Sequence, residues 1–311
     1  MSGKELLAAA GRALDREVES AARVGGGDIN DAWSLALRGG GRAFLKSRAD
    51  APDDEYAAEA AGLRWLGGAG GLRVPAVLAV VDSGGERGLA LEWVEPGRLS
   101  SEGEEELGRG LAITHAAGAE GIDALPPGSP RRALRFGGVE VPIDDAAGQK
   151  CPARRDQSAT EPSDPAWPDV YATRLSSLSL VARDRGAITP GCAAAIECLA
   201  GRLDDLAGSP ERPARIHGDL WSGNVLAGSD GRPWLIDPAA HGAHREMDLA
   251  MLELFGSVAG RTLAAYEEVW PLADGREERV GLWQLQPLLV HAILFGGSYG
   301  AAVERTAAAY A

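Results

Sequence analysis

The segment His217–Asn224, HGDLWSGN, places a carboxylate and a carboxamide five residues apart, Asp219 and Asn224, on a predicted loop. A second acid, Asp237, follows the short apolar strand WLI, 18 residues after the first. Such hard oxygen ligands suit Mg²⁺, which takes one or two protein oxygens and completes its shell with phosphate oxygens and water. The same residue types recur in phosphoryl transfer, where one aspartate accepts the proton of the attacking hydroxyl and the other two side chains hold the metal.

An alternative interpretation is that Asp219 and Asn224 only hydrogen-bond a turn. The second acid at this spacing favours the catalytic interpretation. We therefore predict Asp219 as the general base and Asn224 and Asp237 as ligands of Mg²⁺. His217 is expected to brace the loop by hydrogen bonding.

Phosphoryl transfer also needs a cation for the phosphates. Lys46 lies on the third predicted strand, in FLK, and Glu59 lies on the helix that follows, among small apolar residues. Either could be an ordinary surface charge, but a charge on an apolar face is costly unless it is paired. We predict that the two form an ion pair and that Lys46 binds the phosphates of ATP.

Two further segments are candidates for nucleotide contacts. Gly26 and Gly27, in the GGGDIN loop between the first two strands, could let backbone N–H groups approach phosphates, although glycine runs are more often hairpin turns. The fifth strand ends in LALEWVEPG. There we expect backbone groups of Glu92 and Val94 to bind the adenine edge and Leu91 to line the pocket.

The elements that must position these residues follow a simple order. The first 95 residues predict an amphipathic helix and then strand–strand–strand–helix–strand–strand, an antiparallel sheet of five strands with one main helix. After Pro96–Gly97 the pattern becomes helical. We predict an α+β fold with a nucleotide-binding lobe at 1–95 and a helical catalytic and acceptor-binding lobe at 96–311. Residues 137–166 are polar, rich in proline and aperiodic, which predicts a long loop or flexible insert.

Composition narrows the class of partner. A formal net charge of −14 argues against nonspecific binding to nucleic acid or anionic membranes, and no apolar run is long enough to span a bilayer. The three cysteines, Cys151, Cys192 and Cys198, lack metal-ligand spacing. They predict idle thiols in a reducing cytoplasm. We expect a monomer or weak dimer.

Several segments of the sequence resemble those of a known family. The segments HGDLWSGNVL, LIDPAAHGAHREMDLAMLELFG, YEEVWPL and QLQPLLVHAILFGGSY are similar to those of fructosamine (ketosamine-3-) kinases, within the aminoglycoside-phosphotransferase-like kinases. The N-terminal segments VGGGDINDAW, FLK, EYAAEAAGLRWL and VPAVLAV fit the same family. The resemblance spans nearly the whole chain apart from 137–166, and it implies a bilobal protein-kinase-like fold.

The resemblance also implies a reaction. Family members use ATP to phosphorylate the 3-hydroxyl of a fructosamine or ribulosamine, and the unstable 3-phosphate releases the amine. The expected partner is therefore a glycated amine or a glycated lysine of a protein. Trp221 is expected to pack against the sugar and His291 to contact the substrate. Asp248, with Arg245 and Glu246, is expected to clamp the catalytic loop, and His115 to be structural.

Three departures from the family pattern are expected to fall on the acceptor side. His241 stands where an aromatic residue is usual, Ile293 where Asn is common, and LRFGGVEVPIDD replaces an NxIG-like segment. One alternative is therefore a kinase of an aminoglycoside, amino alcohol or free sugar. Another is a noncatalytic pseudokinase. It predicts the loss of at least one of four residues, all of which are present: Lys46, Asp219, Asn224 and Asp237.

Overall fold

The structure, a computed structural model, describes residues 3–25, 30–83, 85–141, 166–256 and 258–310. Gly26 and Gly27 lie outside the described residues, and so does 142–165, most of the predicted insert. The predictions made for them remain predictions.

An antiparallel sheet of five strands follows the N-terminal helix, in the order β1–β2–β3–β5–β4. Helix α2 lies between the third and fourth strands along the chain. This confirms the predicted number of strands and the helix between them. The elements are α1 (Gly3–Leu14), β1 (Val18–Arg23), β2 (Asp31–Leu37), β3 (Arg42–Ser47), α2 (Glu55–Gly67), β4 (Val77–Ser83) and β5 (Glu86–Glu92).

The two faces of the sheet carry different helices, and the alternation of β3 determines where its lysine points. Ala43 and Leu45 pack with the apolar side of α1, whereas Phe44 packs with the cluster formed by α2 and β5. Successive side chains of a strand point to opposite faces, so Lys46 shares the face of Phe44 and lies next to α2. The period of the strand thus places the lysine beside the helix that carries Glu59.

The rest of the described chain is mainly helical. The helices are α3 (Ser101–Ala116), α4 (Trp167–Asp184), α5 (Pro190–Ala200), α6 (Leu203–Leu206), α7 (Glu246–Leu254), α8 (Gly260–Val269), α9 (Arg276–Phe295) and α10 (Ser298–Ala308). Helix α3 begins as its sequence predicts, because the Ser100 hydroxyl accepts a hydrogen bond from the Gly103 N–H at 3.0 Å. None of the helices, as far as they are described, is long and apolar enough to cross a membrane.

Three short antiparallel pairs connect these helices. They are β6 (Leu134–Phe136) with β7 (Val139–Val141), β8 (Ala214–Ile216) with β11 (His241–Ala243), and β9 (Val225–Ala227) with β10 (Pro233–Leu235). Residues 139–141 therefore do not fit the flexible insert predicted for 137–166, because Val139 and Val141 are buried in the main C-terminal core. The alternation VEV is too short to distinguish from a loop by periodicity alone.

Helices α3 and α8 pack unusually close together because Gly108 has no side chain. A Cβ at this position would lie well inside contact distance of the Thr262 carbonyl oxygen. The close packing matters for the site, because α3 carries His115 and α8 carries Tyr266, whose side chains hydrogen-bond each other at 2.8 Å.

We expect Gly108→Ala to lower the free energy of unfolding by about 1–3 kcal/mol, because overpacking forces the two helices apart. The matched control is Gly260→Ala at the start of α8, where an added Cβ meets nothing within 4 Å. Urea denaturation of both variants measures the difference. Equal midpoints would contradict the close-packing argument.

Candidate active site

The predicted catalytic loop connects β8 to β9 and is fixed at both ends by apolar anchors. Ile216 and Leu220 are buried on either side of the half-buried Asp219. Asn224 ends a short 3₁₀ turn, and its Nδ2 donates to the backbone oxygen of Asp219 at 2.7 Å and to Oδ2 of the same residue at 3.2 Å. The structure thus brings the predicted base and the predicted metal ligand into direct contact.

The environment of Asp219 favours a carboxyl group that binds protons more readily than usual. Burial raises the pKa of Asp219, and the negative charge of Asp237 adds to that rise. His217, His291 and the hydrogen bond from Asn224 oppose it without cancelling it. A raised pKa is the direction that suits a general base for a hydroxyl group.

Asp248, at the start of α7, holds the backbone that precedes Asp219. Its carboxylate accepts the His217 N–H at 2.7 Å and the Gly218 N–H at 2.9 Å. The imidazole of His115 contacts the same carboxylate at 3.1 Å. Burial alone would raise the pKa of Asp248, but the hydrogen bond and charge of His115, together with His217, outweigh it and lower the pKa.

The ring of His217 braces the loop from within. Its Nδ1 accepts the Asp219 N–H at 3.2 Å, and its Nε2 lies 2.9 Å from the Ile236 carbonyl oxygen, next to Asp237. His217 therefore connects the backbone of Asp219 to Ile236, the residue just before Asp237. The predicted role of His217 as a brace of the loop stays a prediction.

Lys46 lies between two carboxylates and is only 4% exposed. Its Nζ is 2.5 Å from Oε2 of Glu59 and 2.7 Å from Oδ1 of Asp237. Burial opposes the charged lysine, yet the two carboxylates overcome it and raise the pKa of Lys46. The predicted Lys46–Glu59 pair is present. The second carboxylate, that of Asp237, connects the sheet to the segment after β10.

The residues present fit a magnesium ion. Both hydrogens of the Asn224 amide are directed to Asp219, which fixes the amide orientation and leaves its Oδ1 for a cation. Asp237 has an exposed carboxylate and a left-handed backbone (φ 56°), a conformation that costs a residue other than glycine about 1 kcal/mol or more. Among the described residues, no group of three or more His, Cys, Asp or Glu side chains is placed to hold a metal ion.

The predicted adenine-binding segment has free backbone groups. Leu91 is 2% exposed. The Glu92 N–H is already used, because it donates to the Ala76 carbonyl at 2.8 Å. Val94 makes no backbone hydrogen bond within the described part of the chain, so its N–H and C=O are available to a ligand edge.

A row of rings, which sequence reasoning only partly found, lies on the side of the site where the acceptor is expected to bind. Trp221 and His291 were singled out, and the structure joins them through Phe255, whose ring centroid is 6.3 Å from Trp221 and 4.8 Å from His291. We call the whole group the acceptor-side aromatic cluster: Trp221, Phe255, His291, Phe295 and Tyr299. Phe295 follows His291 by four residues on a predicted helix, and this spacing is the signal that could have revealed Phe295 as a member of the cluster.

Comparison with known proteins identifies the family. The family model described as fructosamine kinase matches residues 4–123 and 156–310. The chain belongs to the fructosamine kinase family. This is a phosphotransferase family that acts on hydroxyl groups.

Individual relatives agree with this assignment. A "probable ketoamine kinase" of Synechocystis is 31% identical over 280 residues, covering 89% of this chain and 85% of the relative. A crystal structure of a "putative fructosamine-3-kinase" from Thermobifida fusca is 40% identical, with a TM-score of 0.83, and covers 98% of this chain and 97% of its own. The choline kinase LicA of Streptococcus pneumoniae, 14% identical with a TM-score of 0.62 over 99% of each chain, shares the fold alone. The predicted protein-kinase-like α+β fold is confirmed.

Two of the expected departures from the fructosamine kinase pattern do not lie on the acceptor surface. His241 is 1% exposed and Ile293 6% exposed. Burial lowers the pKa of His241 to about 4, and its Nδ1 contacts the Ala239 carbonyl at 2.8 Å. Ile293 lies two residues after His291 on α9, on the opposite side of the helix, which faces the core.

Fewer side chains hold the catalytic loop than the sequence suggested. Arg245 pairs with Glu211 at 2.7 Å and donates to carbonyls at the end of α8. Glu246 pairs with Arg279 and accepts from the Trp283 indole at 2.7 Å. Placing these two side chains in the loop clamp was wrong, because adjacent residues at a helix start point in different directions; Asp248 alone of the three holds the loop.

We expect Asp248→Asn to destabilise this fructosamine kinase family member by about 2–4 kcal/mol at neutral pH. Asparagine keeps one acceptor oxygen but has an NH2 donor in place of the other, so one of the two backbone N–H groups loses its acceptor. Since the pKa of Asp248 is lowered on folding, its stabilising effect is present above the unfolded value of about 3.9 and is lost as pH falls.

Urea unfolding at pH 7 measures this loss of stability. The control is Asp205→Asn on α6, an exposed position where we expect a change within about 0.5 kcal/mol. Similar losses in both variants would refute the role given to Asp248.

Proposed function

We propose that the protein transfers the γ-phosphoryl group of ATP to the 3-hydroxyl of a ketoamine, a ribulosamine or fructosamine, and so starts deglycation. The observation that carries the proposal is the Asp219–Asn224 unit together with the ion pair between the buried Lys46 and Asp237, in a chain of the fructosamine kinase family. The negative charge of Asp237 contributes to the raised pKa of Asp219, which supports a shared site.

Each residue has one task in this mechanism. Lys46 binds phosphate oxygens of ATP, and Glu59 keeps its ammonium in place. Asn224 and Asp237 would hold Mg²⁺, which neutralises charge on the phosphates. The acceptor oxygen forms a bond to the γ-phosphorus, the bond to the ADP oxygen breaks, and the hydroxyl proton goes to Asp219. Most of the acceleration comes from positioning and electrostatics.

Release of the amine follows from the chemistry of the proposed product. Enolisation between carbons 1 and 2 of the ketoamine places the 3-phosphate next to an electron-rich double bond. Phosphate then leaves as inorganic phosphate, and water hydrolyses the resulting imine to a free amine and a dicarbonyl compound. Glycated small amines and glycated lysines of proteins are the proposed substrates, and the cytoplasm is the proposed compartment.

Incubation with Mg-ATP and ribuloselysine, fructoselysine or kanamycin, followed by ADP release, tests the proposal. We expect turnover of at least one ketoamine and none of kanamycin. Asp219→Ala should reduce kcat by about 10²–10⁴-fold, because the general base is lost, while ATP binding persists. Asp230→Ala, on the exposed β9–β10 turn, is the matched control and should retain wild-type turnover.

Three results would overturn the proposal. Activity on kanamycin alone would show that the acceptor is an aminoglycoside and not a ketoamine. The absence of activity on all three acceptors would favour the pseudokinase. Residual Asp219→Ala activity above about a tenth of wild type would contradict the base assignment.

The proposed base also predicts a pH dependence. Burial raises the pKa of Asp219, and the carboxylate accepts a proton only when ionised. Activity should therefore fall as the pH decreases through a value above the ordinary aspartate pKa of about 3.9. The measurement is kcat/KM against pH, with circular dichroism as the control for folding. A profile that stays flat down to pH about 4 would contradict the prediction.

A further inference from the structure

Two rings of the acceptor-side aromatic cluster are open to solvent. Trp221 is 39% exposed and Phe295 is 59% exposed. The other three rings are half-buried and hold these two in place at centroid distances of 5.6 Å for His291–Phe295, 6.1 Å for Phe295–Tyr299 and 6.3 Å for Trp221–Phe255. The cluster is therefore a supported surface rather than two separate exposed side chains.

The indole of Trp221 has one covered face. A Cβ on Gly223 would overlap the six-membered ring of Trp221, so the ring lies directly over the Gly223 backbone. Its edge contacts Phe255 in a T-shaped arrangement. Because the residue is still 39% exposed, the opposite face is available to a ligand.

Among the residues that the structure describes, no arginine lies over the rings of this cluster. Within the residues that the structure describes, every close arginine–ring contact involves another aromatic residue, such as Arg42 over Trp93 at 3.8 Å or Arg245 over Trp270 at 4.2 Å. Aromatic faces attract cations through their quadrupole, most strongly for tryptophan. Open faces of this kind are suited to a cation that arrives with the ligand.

The cluster also lies next to the proposed base. Trp221 follows Asp219 by two residues on the same loop, and His291 is among the side chains near enough to influence the Asp219 carboxyl. A hydroxyl placed at Asp219 therefore belongs to a molecule whose neighbouring atoms reach Trp221 and His291. His291 itself is fixed by its Nδ1, which lies 2.7 Å from the Pro287 carbonyl oxygen.

We propose that the acceptor-side aromatic cluster binds the protonated secondary amine of the ketoamine through cation–π contacts and selects charged amines over neutral sugars. This inference rests on the proposed function for the identity of the ligand. In a ketoamine the nitrogen is three bonds from the carbon that bears the 3-hydroxyl, so both groups reach the same site. The amine is an alkylammonium at neutral pH, and the Asp219 carboxylate adds to its attraction.

The alternative is that the rings only stack on carbon–hydrogen bonds of the sugar. The two explanations differ in their response to charge. Stacking does not distinguish a protonated amine from a neutral amide on the same sugar, whereas a cation–π contact does.

Isothermal titration calorimetry with two matched compounds separates them. The probes are 1-deoxy-1-propylamino-ribulose and the same compound acetylated on its nitrogen, each titrated into protein with Mg-ADP. We expect the wild type to bind the amine about 3- to 30-fold more tightly than the amide. Trp221→Leu and Phe295→Leu, which keep an apolar side chain but remove the ring, should bring this ratio towards one.

Leu180→Ala is the control, since Leu180 is an exposed apolar residue of α4 at 47% exposure and should keep the wild-type ratio. Loss of the preference in either ring variant supports the inference. Equal binding of the two compounds by the wild type, binding of neither, or an unchanged ratio in both ring variants overturns it.

ADP release measured with the same amine separates this inference from the proposed function. A wild type that prefers the amine but releases no ADP would refute the proposed function and leave the amine site standing. If the wild type phosphorylates the amine while the ring variants keep the full preference for it, the amine site is refuted and the proposed function is supported.

Discussion

The carboxylate of Asp248 is the interaction on which the site depends. It is 1% exposed and accepts two successive backbone N–H groups immediately before Asp219, while His115 contacts it from α3. A buried carboxylate of this kind is stable only when its lone pairs accept hydrogen bonds. Helix α7, which carries Asp248, and helix α3, which carries His115, therefore cannot move independently of the loop. The close approach of α3 and α8 at Gly108 extends this constraint to Tyr266.

A second constraint connects the sheet to the same loop. Lys46 reaches Asp237 across 191 residues of sequence, and His217 contacts the carbonyl of the residue just before Asp237. The proposed phosphate-binding cation, the proposed metal ligand and the proposed base are thus held by one continuous set of polar contacts. Lys46 and His217 are buried within this set. Removing one of their partners leaves a buried polar group unsatisfied, which is more costly than the loss of one surface bond.

Sequence predicted the parts of the fold whose signal is local. Strand alternation predicted the five strands and their order along the chain, and a charge on an apolar strand pointed to the Lys46–Glu59 pair. Contacts between residues distant in sequence were harder to predict. The partners of Arg245 and Glu246 depend on how the helices pack, not on the position of these residues beside Asp248. The β6–β7 hairpin was missed because three-residue strands carry almost no periodicity. It also lies in 124–155, the stretch that the family match omits.

Helix α9 shows how acceptor binding and catalysis can be coupled through one element. His291 and Phe295 lie on one side of it, whereas Leu289 and Ile293 are buried on the other. Pro287, inside the same helix, has no N–H, and its carbonyl contacts Nδ1 of His291, the residue whose charge lowers the pKa of Asp219. A change in the packing of Ile293 would therefore rotate the aromatic face and alter the proton affinity of the base together. If the proposed acceptor site is correct, buried positions of α9 would therefore affect acceptor selection without contacting the acceptor.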